Sequence, residues 1–109
     1  MATSQQTAEY IVDQLASLEH ISTRKMFGEY ALYYEGKVVA LICDNTLYIK
    51  MTTEGKSFVD TDYKEGAPYP GAKPWIEIGE EKIEDRTWLA ELIEITFDAL
   101  PAPKLKKKK

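Results

Sequence analysis

Two tight-turn signals, Glu35-Gly36 and Asp44-Asn45, bracket the run Val38-Val39-Ala40-Leu41-Ile42-Cys43. That run is apolar without alternation, so as a strand it must be covered on both faces and lie inside a sheet. Asp44-Asn45 reads as a two-residue turn, because both side chains tolerate left-handed geometry. At Glu35-Gly36, glycine accepts positive φ at little cost but glutamate does not. A type I turn with a glycine bulge therefore competes with a plain two-residue turn, and the choice decides which face each tyrosine takes.

The flanking segments extend the pattern. Ile21–Phe27 reads as a strand with Arg24 and Lys25 at its middle, ending at Gly28, and Tyr30–Tyr34 is rich in tyrosine, which suits a pleated surface. Leu47, Ile49 and Met51 alternate with Tyr48, Lys50 and Thr52, the mark of a half-buried strand. Residues 21–52 are thus expected to form a three- or four-stranded antiparallel meander. Gly66–Pro74, with three prolines and two glycines, fits a loop or an edge strand, and Trp75–Ile78 a short strand.

Helices are expected at both ends. Ala8, Ile11, Val12, Leu15 and Leu18 fall on one face of a helix over Thr7–Leu18, opposite Glu9, Asp13 and Gln14. Thr3 or Ser4 caps it, with Gln6 placed for a capping box against Thr3. Thr53–Asp60 fits a short helix capped by Thr52 or Thr53, against the preference of Gly55. A long helix runs from a cap at Glu84 or Asp85 to about Leu100, where Pro101 stops it. Its stripe of Trp88, Leu92, Ile95 and Ala99, flanked by Leu89, Ile93 and Phe97, is wide enough for deep packing or for a dimer contact, and deep packing is favoured. The fold class expected is α+β: two layers, an antiparallel sheet of about five strands, an N-terminal helix, a short middle helix and a long C-terminal helix.

At 109 residues the chain holds one modest core, assigned to residues 1–103, followed by a disordered lysine-rich tail over 104–109. The net charge of −4 conceals an asymmetry: residues 1–103 carry 9 basic against 18 acidic groups, and the tail carries five lysines. The acidic body repels a phosphate backbone, whereas Lys104, Lys106, Lys107, Lys108 and Lys109 attract one. A single cysteine fits a reducing compartment, and neither a membrane span nor a leader is visible, so a cytoplasmic protein is expected.

Residues able to carry chemistry are few. Cys43 follows an apolar run and precedes Asp44, whose charge would raise the thiol pKa, while His20 sits in the loop after the first helix. One histidine and one cysteine cannot fill a zinc site without carboxylates, and no acidic loop has calcium-ligand spacing. Glu80-Glu81 and Glu84-Asp85 fit dipole partners at helix starts better than an acid–base pair. The segment Arg24-Lys25-Met26-Phe27-Gly28-Glu29-Tyr30 mixes basic and aromatic residues, as single-strand RNA readers do, but it lacks their glycine spacing and element order. No catalytic, cofactor-binding or metal-binding residue is assigned.

That same segment resembles the N-terminal domain of the TfoX/Sxy family, bacterial regulators of competence for DNA uptake. The resemblance rests on Arg24, Met26-Phe27-Gly28, Tyr30, Leu32, Tyr33 and Gly36. It continues through Ala40-Leu41-Ile42, Asp44, Thr46-Leu47-Tyr48-Ile49-Lys50, Pro68-Tyr69 and the Trp88–Ala99 helix, so it covers about residues 7–100. It implies a two-layer α+β domain in the order helix, three or four strands, helix, two strands, helix. It also implies coactivation of competence genes alongside the cyclic-AMP receptor protein, with no established catalytic set. Two departures stand out: the family's helix-hairpin-helix-like C-terminal domain is missing, and Glu29 stands where the family often has glycine.

The function expected is therefore a stand-alone, non-catalytic domain that regulates transcription by binding protein, through a surface at Arg24, Lys25, Glu29 and Tyr30. The alternative is weak, non-specific nucleic-acid binding through the tail. No cofactor and no membrane contact are expected, and homodimerisation would use the last helix or an exposed sheet edge.

Overall fold

A computed structural model describes residues 4–26, 28–59, 64–68 and 70–100. The meander has four strands, β1 (Ile21–Met26), β2 (Glu29–Tyr34), β3 (Lys37–Cys43) and β4 (Thr46–Ile49). Short strands β5 (Lys64–Gly66) and β6 (Trp75–Ile78) complete an antiparallel sheet of order β1-β2-β3-β4-β6-β5. The α+β class and antiparallel sheet are as expected, with six strands among the described residues where about five are expected. The extra one, β5, is too short to show a period and exists because its backbone pairs with β6.

Both hairpin turns of β3 have two residues at positive φ: Glu35 at 52° and Gly36 at 86°, Asp44 at 51° and Asn45 at 58°. The expectation that Glu35 avoids this geometry is corrected. Left-handed backbone costs roughly 1–2 kcal/mol, and pairing of Tyr34 with Lys37 holds the turn in place, helped by a bond from Glu35 N–H to the His20 carbonyl. A bulge lies further along: Leu32 pairs with Ala40 but Tyr33 with Val38, so Val39 is an extra residue in β3. Val39, Ala40 and Ile42 all pack into the core, while Val38 and Leu41 are half-buried on the opposite, outer face.

The helices cover the inner face. The first, α1 (Gln5–Gln14), is capped by Ser4, whose side chain accepts from Thr7 N–H; Thr3 lies outside the described residues. The helix is shorter than the apolar spacing suggests, because the chain turns at Leu15–Leu18, yet Leu15 is fully buried and Leu18 packs on the core. Gln14 is corrected from the solvent face to the interior: it is 7% exposed and its Nε2 donates to the Ile83 carbonyl at 2.9 Å.

The middle helix, α2 (Thr53–Val59), forms despite Gly55, because Thr52 Oγ1 accepts from Gly55 N–H and because Gly55 is buried against other side chains. Two further helices follow, α3 (Glu80–Ile83) and α4 (Arg86–Ala99), and α3 was not expected. Asp85 caps α4 by accepting from Trp88 N–H. The face of α4 that packs deepest comprises Leu89, Leu92, Ile93 and Thr96, so the core contact is centred on residues flanking the expected stripe; Trp88, Ile95 and Ala99 are half-buried. At the other end of α4, the Lys37 ammonium donates to the Phe97 and Leu100 carbonyls and lies 4.0 Å from the Phe97 ring. The cation thereby satisfies the negative end of the helix. Among the described residues, no helix is long and apolar enough to cross a membrane.

Candidate interaction surface

The Met-Phe-Gly-x-Tyr motif builds the turn of the first hairpin. Met26 pairs with Glu29 across the turn, and Gly28 sits at φ 82°, where a side chain would strain the backbone. Phe27 lies outside the described residues. Tyr30 packs against the core, so part of this motif serves folding.

Strand alternation divides the four candidate surface residues. Arg24 is opposite Ala31 and Met26 opposite Glu29, which places Arg24 and Glu29 on the outer face. Lys25 is opposite Tyr30 on the helix-bearing face. Arg24 and Lys25 are exposed on an edge strand, where charge discourages unwanted pairing. The Arg24 guanidinium lies 5.8 Å from the centre of the Tyr33 ring, and the Glu29 carboxylate accepts from Asp44 N–H at 3.0 Å. Glu29 therefore ties the first hairpin to the β3–β4 turn. The lysines of the tail lie outside the described residues.

The outer face holds a depression of about 800 Å³ that the motif alone did not reveal. Met26, Val38, Leu41, Cys43 and Trp75 line it from the strands and Pro68 and Pro70 from the loop after β5, with Glu29, Asp44 and Lys50 as its charged members. Met26 is 40% exposed, so apolar surface here meets solvent. The two-faced apolar character of β3 was the signal for this site; the return of the proline loop over the sheet was not visible as a sequence pattern.

Cys43 is buried at one end of that depression. Burial, and secondarily the Glu29 carboxylate, raise its thiol pKa; Glu29 takes the part expected of Asp44. His20 adjoins Glu35 at the far end of β2, whereas Cys43 follows Ile42, the partner of Tyr30. The strand rise of about 3.3 Å per residue separates the two ends by roughly 15–20 Å, far beyond hydrogen-bond reach. Glu80 and Glu81 occupy the first turn of α3, and Asp85 is occupied as a cap. Among the described residues, no three histidine, cysteine or carboxylate side chains gather as a metal site would require.

On the far side of the sheet, the Tyr34 ring packs tilted against Phe97, with ring centroids 4.9 Å apart. Its pKa is raised by burial first and then by Glu94, Glu35, Asp98 and Glu19. This flank is strongly acidic.

The fold defines a small α+β domain whose open sheet face offers an apolar surface, with no converging catalytic groups among the described residues. The TfoX N-terminal domain profile matches residues 13–100, and the chain belongs to that family. It is also 39% identical over 109 residues to an uncharacterized 12.7 kDa protein encoded in the trpE 5′ region of Spirochaeta aurantia, a match covering 100% of this chain and 93% of that protein.

Proposed function

We propose that this domain works in the cytoplasm by binding another protein, as a regulator coupled to transcription of the kind the family resemblance implies for competence genes, and that it catalyses no reaction. The observation that carries this reading is the outer depression, where Met26 stands exposed beside the motif-bearing hairpin. Apolar surface of this sort, with Glu29 in its lining and Arg24 on the same face of β1 as Met26, suits a protein partner. Affinity purification from the native cytoplasm tests it. A transcription component should co-purify with the wild type and be lost from Met26→Lys and Arg24→Glu variants that keep their thermal stability. Recovery of no such component, or equal recovery by the variants, would count against the proposal.

The charge of the tail supports a second reading, weak nucleic-acid binding independent of the body. Its affinity should fall steeply with salt and vanish in a 1–103 truncation. Tight binding by the truncated chain would refute that reading.

A further inference from the structure

The basic groups of the body are unevenly employed. Lys37 caps α4, Arg86 bonds Asp13 at 3.1 Å, Lys82 lies over the Trp88 ring and Arg24 over Tyr33. Lys50, Lys56 and Lys73 instead gather around a second depression of about 710 Å³, and none of them has a carboxylate within ion-pair distance among the described residues. Among the described residues, Glu65 is the one acidic residue lining it, while Glu29 and Asp44 line the apolar depression at its Cys43 end. This second depression adjoins the apolar one, since Lys50 and Trp75 line both. Ile49 pairs with Ile76, so Lys50 and Trp75 are the next residues across the same ladder and share the outer face.

Among the described residues, three other surface depressions have acidic residues and no basic ones in their lining. Glu9 and Asp13 line the one beside α1; Glu91, Glu94 and Asp98 line the one along α4; Glu80 and Glu84 line the one between α1 and α3. In a body with twice as many acidic as basic groups, three lysines without acidic partners among the described residues form a local exception at the Lys50 end of the apolar hollow, opposite the end where Glu29 accepts from Asp44 N–H. Each depression taken alone falls within the roughly 300–1,000 Å³ typical of small-molecule sites, which combine apolar walls with a few placed polar groups.

We infer that the two depressions form one binding site for a small amphipathic anion, an alkyl or aromatic carboxylate. Its apolar part lies against Trp75, Leu41, Val38 and the two prolines. Its carboxylate meets the ammonium of Lys50, a half-buried residue beside Val39 and so at the end of β3 away from Asp44 and Glu29, with Lys56 and Lys73 adding positive potential at the mouth. The site shares the apolar depression with the proposed protein-docking surface, so a bound anion and a docked partner would compete there, while the lysine-lined depression belongs to the anion alone.

Titration of the full chain with decanoate, below its micelle concentration, tests the inference by two-dimensional amide NMR, with decylamine in parallel. Saturable shifts should centre on Cys43, Lys50, Gly71, Ala72 and the Trp75 indole. Decylamine should bind at least about tenfold more weakly, and Lys50→Glu should weaken decanoate by about tenfold. Lys73→Glu, at an exposed position, provides a second variant whose folding is not at stake. The inference is overturned by any of four results: no saturable shift, shifts confined to the lysine tail or to the α1 and α4 flanks, equal affinity for the amine, or unchanged affinity in the lysine variants.

Discussion

Replacing Thr96 with valine should stabilise the protein, against the usual direction of a core substitution. Thr96 is fully buried in α4, and its Oγ1 has no hydrogen-bond partner among the described residues. A Cβ built on Gly55 would come within 3.6 Å of that oxygen, so the hydroxyl is wedged where α2 meets α4. Leaving a buried hydroxyl unsatisfied costs about 1–3 kcal/mol. Valine keeps the β-branch and nearly the same volume, has similar helix propensity, and exchanges the hydroxyl for a methyl that gains from burial. A net gain of about 1–2 kcal/mol is expected, equivalent to roughly 4–8 °C in Tm per kcal/mol for a domain of this size. Urea unfolding at constant m-value measures it, with Thr96→Ser as the control. Serine keeps the unsatisfied hydroxyl and loses the methyl, and should cost about 1 kcal/mol. A valine variant equal to or less stable than the wild type would show that the hydroxyl is satisfied in solution and would refute the reasoning.

Three other outcomes are expected. Lys37→Met removes both charged bonds to the α4 carbonyls; it should cost about 1–3 kcal/mol and speed hydrogen exchange in the last turn of the helix. Gly55→Ala should destabilise by about 1–3 kcal/mol despite better helix propensity, because the new Cβ would lie 2.8 Å from the capping Thr52 Oγ1; unchanged urea stability would contradict this. The Cys43, Tyr34 and Tyr48 pKa values are all raised, with burial the first cause in each. Folding therefore favours the neutral forms: their contribution is complete below the ordinary cysteine value of 9.0 and is lost as pH climbs through the raised values, the tyrosines following above 10.0. Unfolding midpoints should fall across this alkaline range, beginning at higher pH in Cys43→Ser, and a flat profile would exclude the linkage.

The meander was legible because its signals are local. Asp44-Asn45 takes the predicted turn, and the unbroken apolar run became a strand used on both faces. Asp85 likewise caps α4 because a short acidic side chain before an apolar period has few other roles. What escaped depends on distant chain. Gln14 follows the polar side of a helix by composition, and only the carbonyl of Ile83, 69 residues away, makes its burial favourable. The elements β5 and α3 have three and four residues, too few for any period to register. Of the proposed surface, a two-residue alternation already separates Arg24 from Lys25; the lysine cluster beside Trp75 required the cross-sheet register and the returning proline loop.

The surplus residue at Val39 bears on how relatives of this protein can differ in length. Val39 adds a core side chain while Lys37 and Val38 on one flank, and Ala40 on the other, keep the orientations an uninterrupted ladder would have. Losing one amino acid here would leave a void but invert neither flank. The same deletion within β1, whose pairing with β2 runs without a break from Ile21 to Met26, would turn half that strand over. Single-residue gaps among homologues are therefore expected to concentrate at this point of the third strand and to be absent from the first.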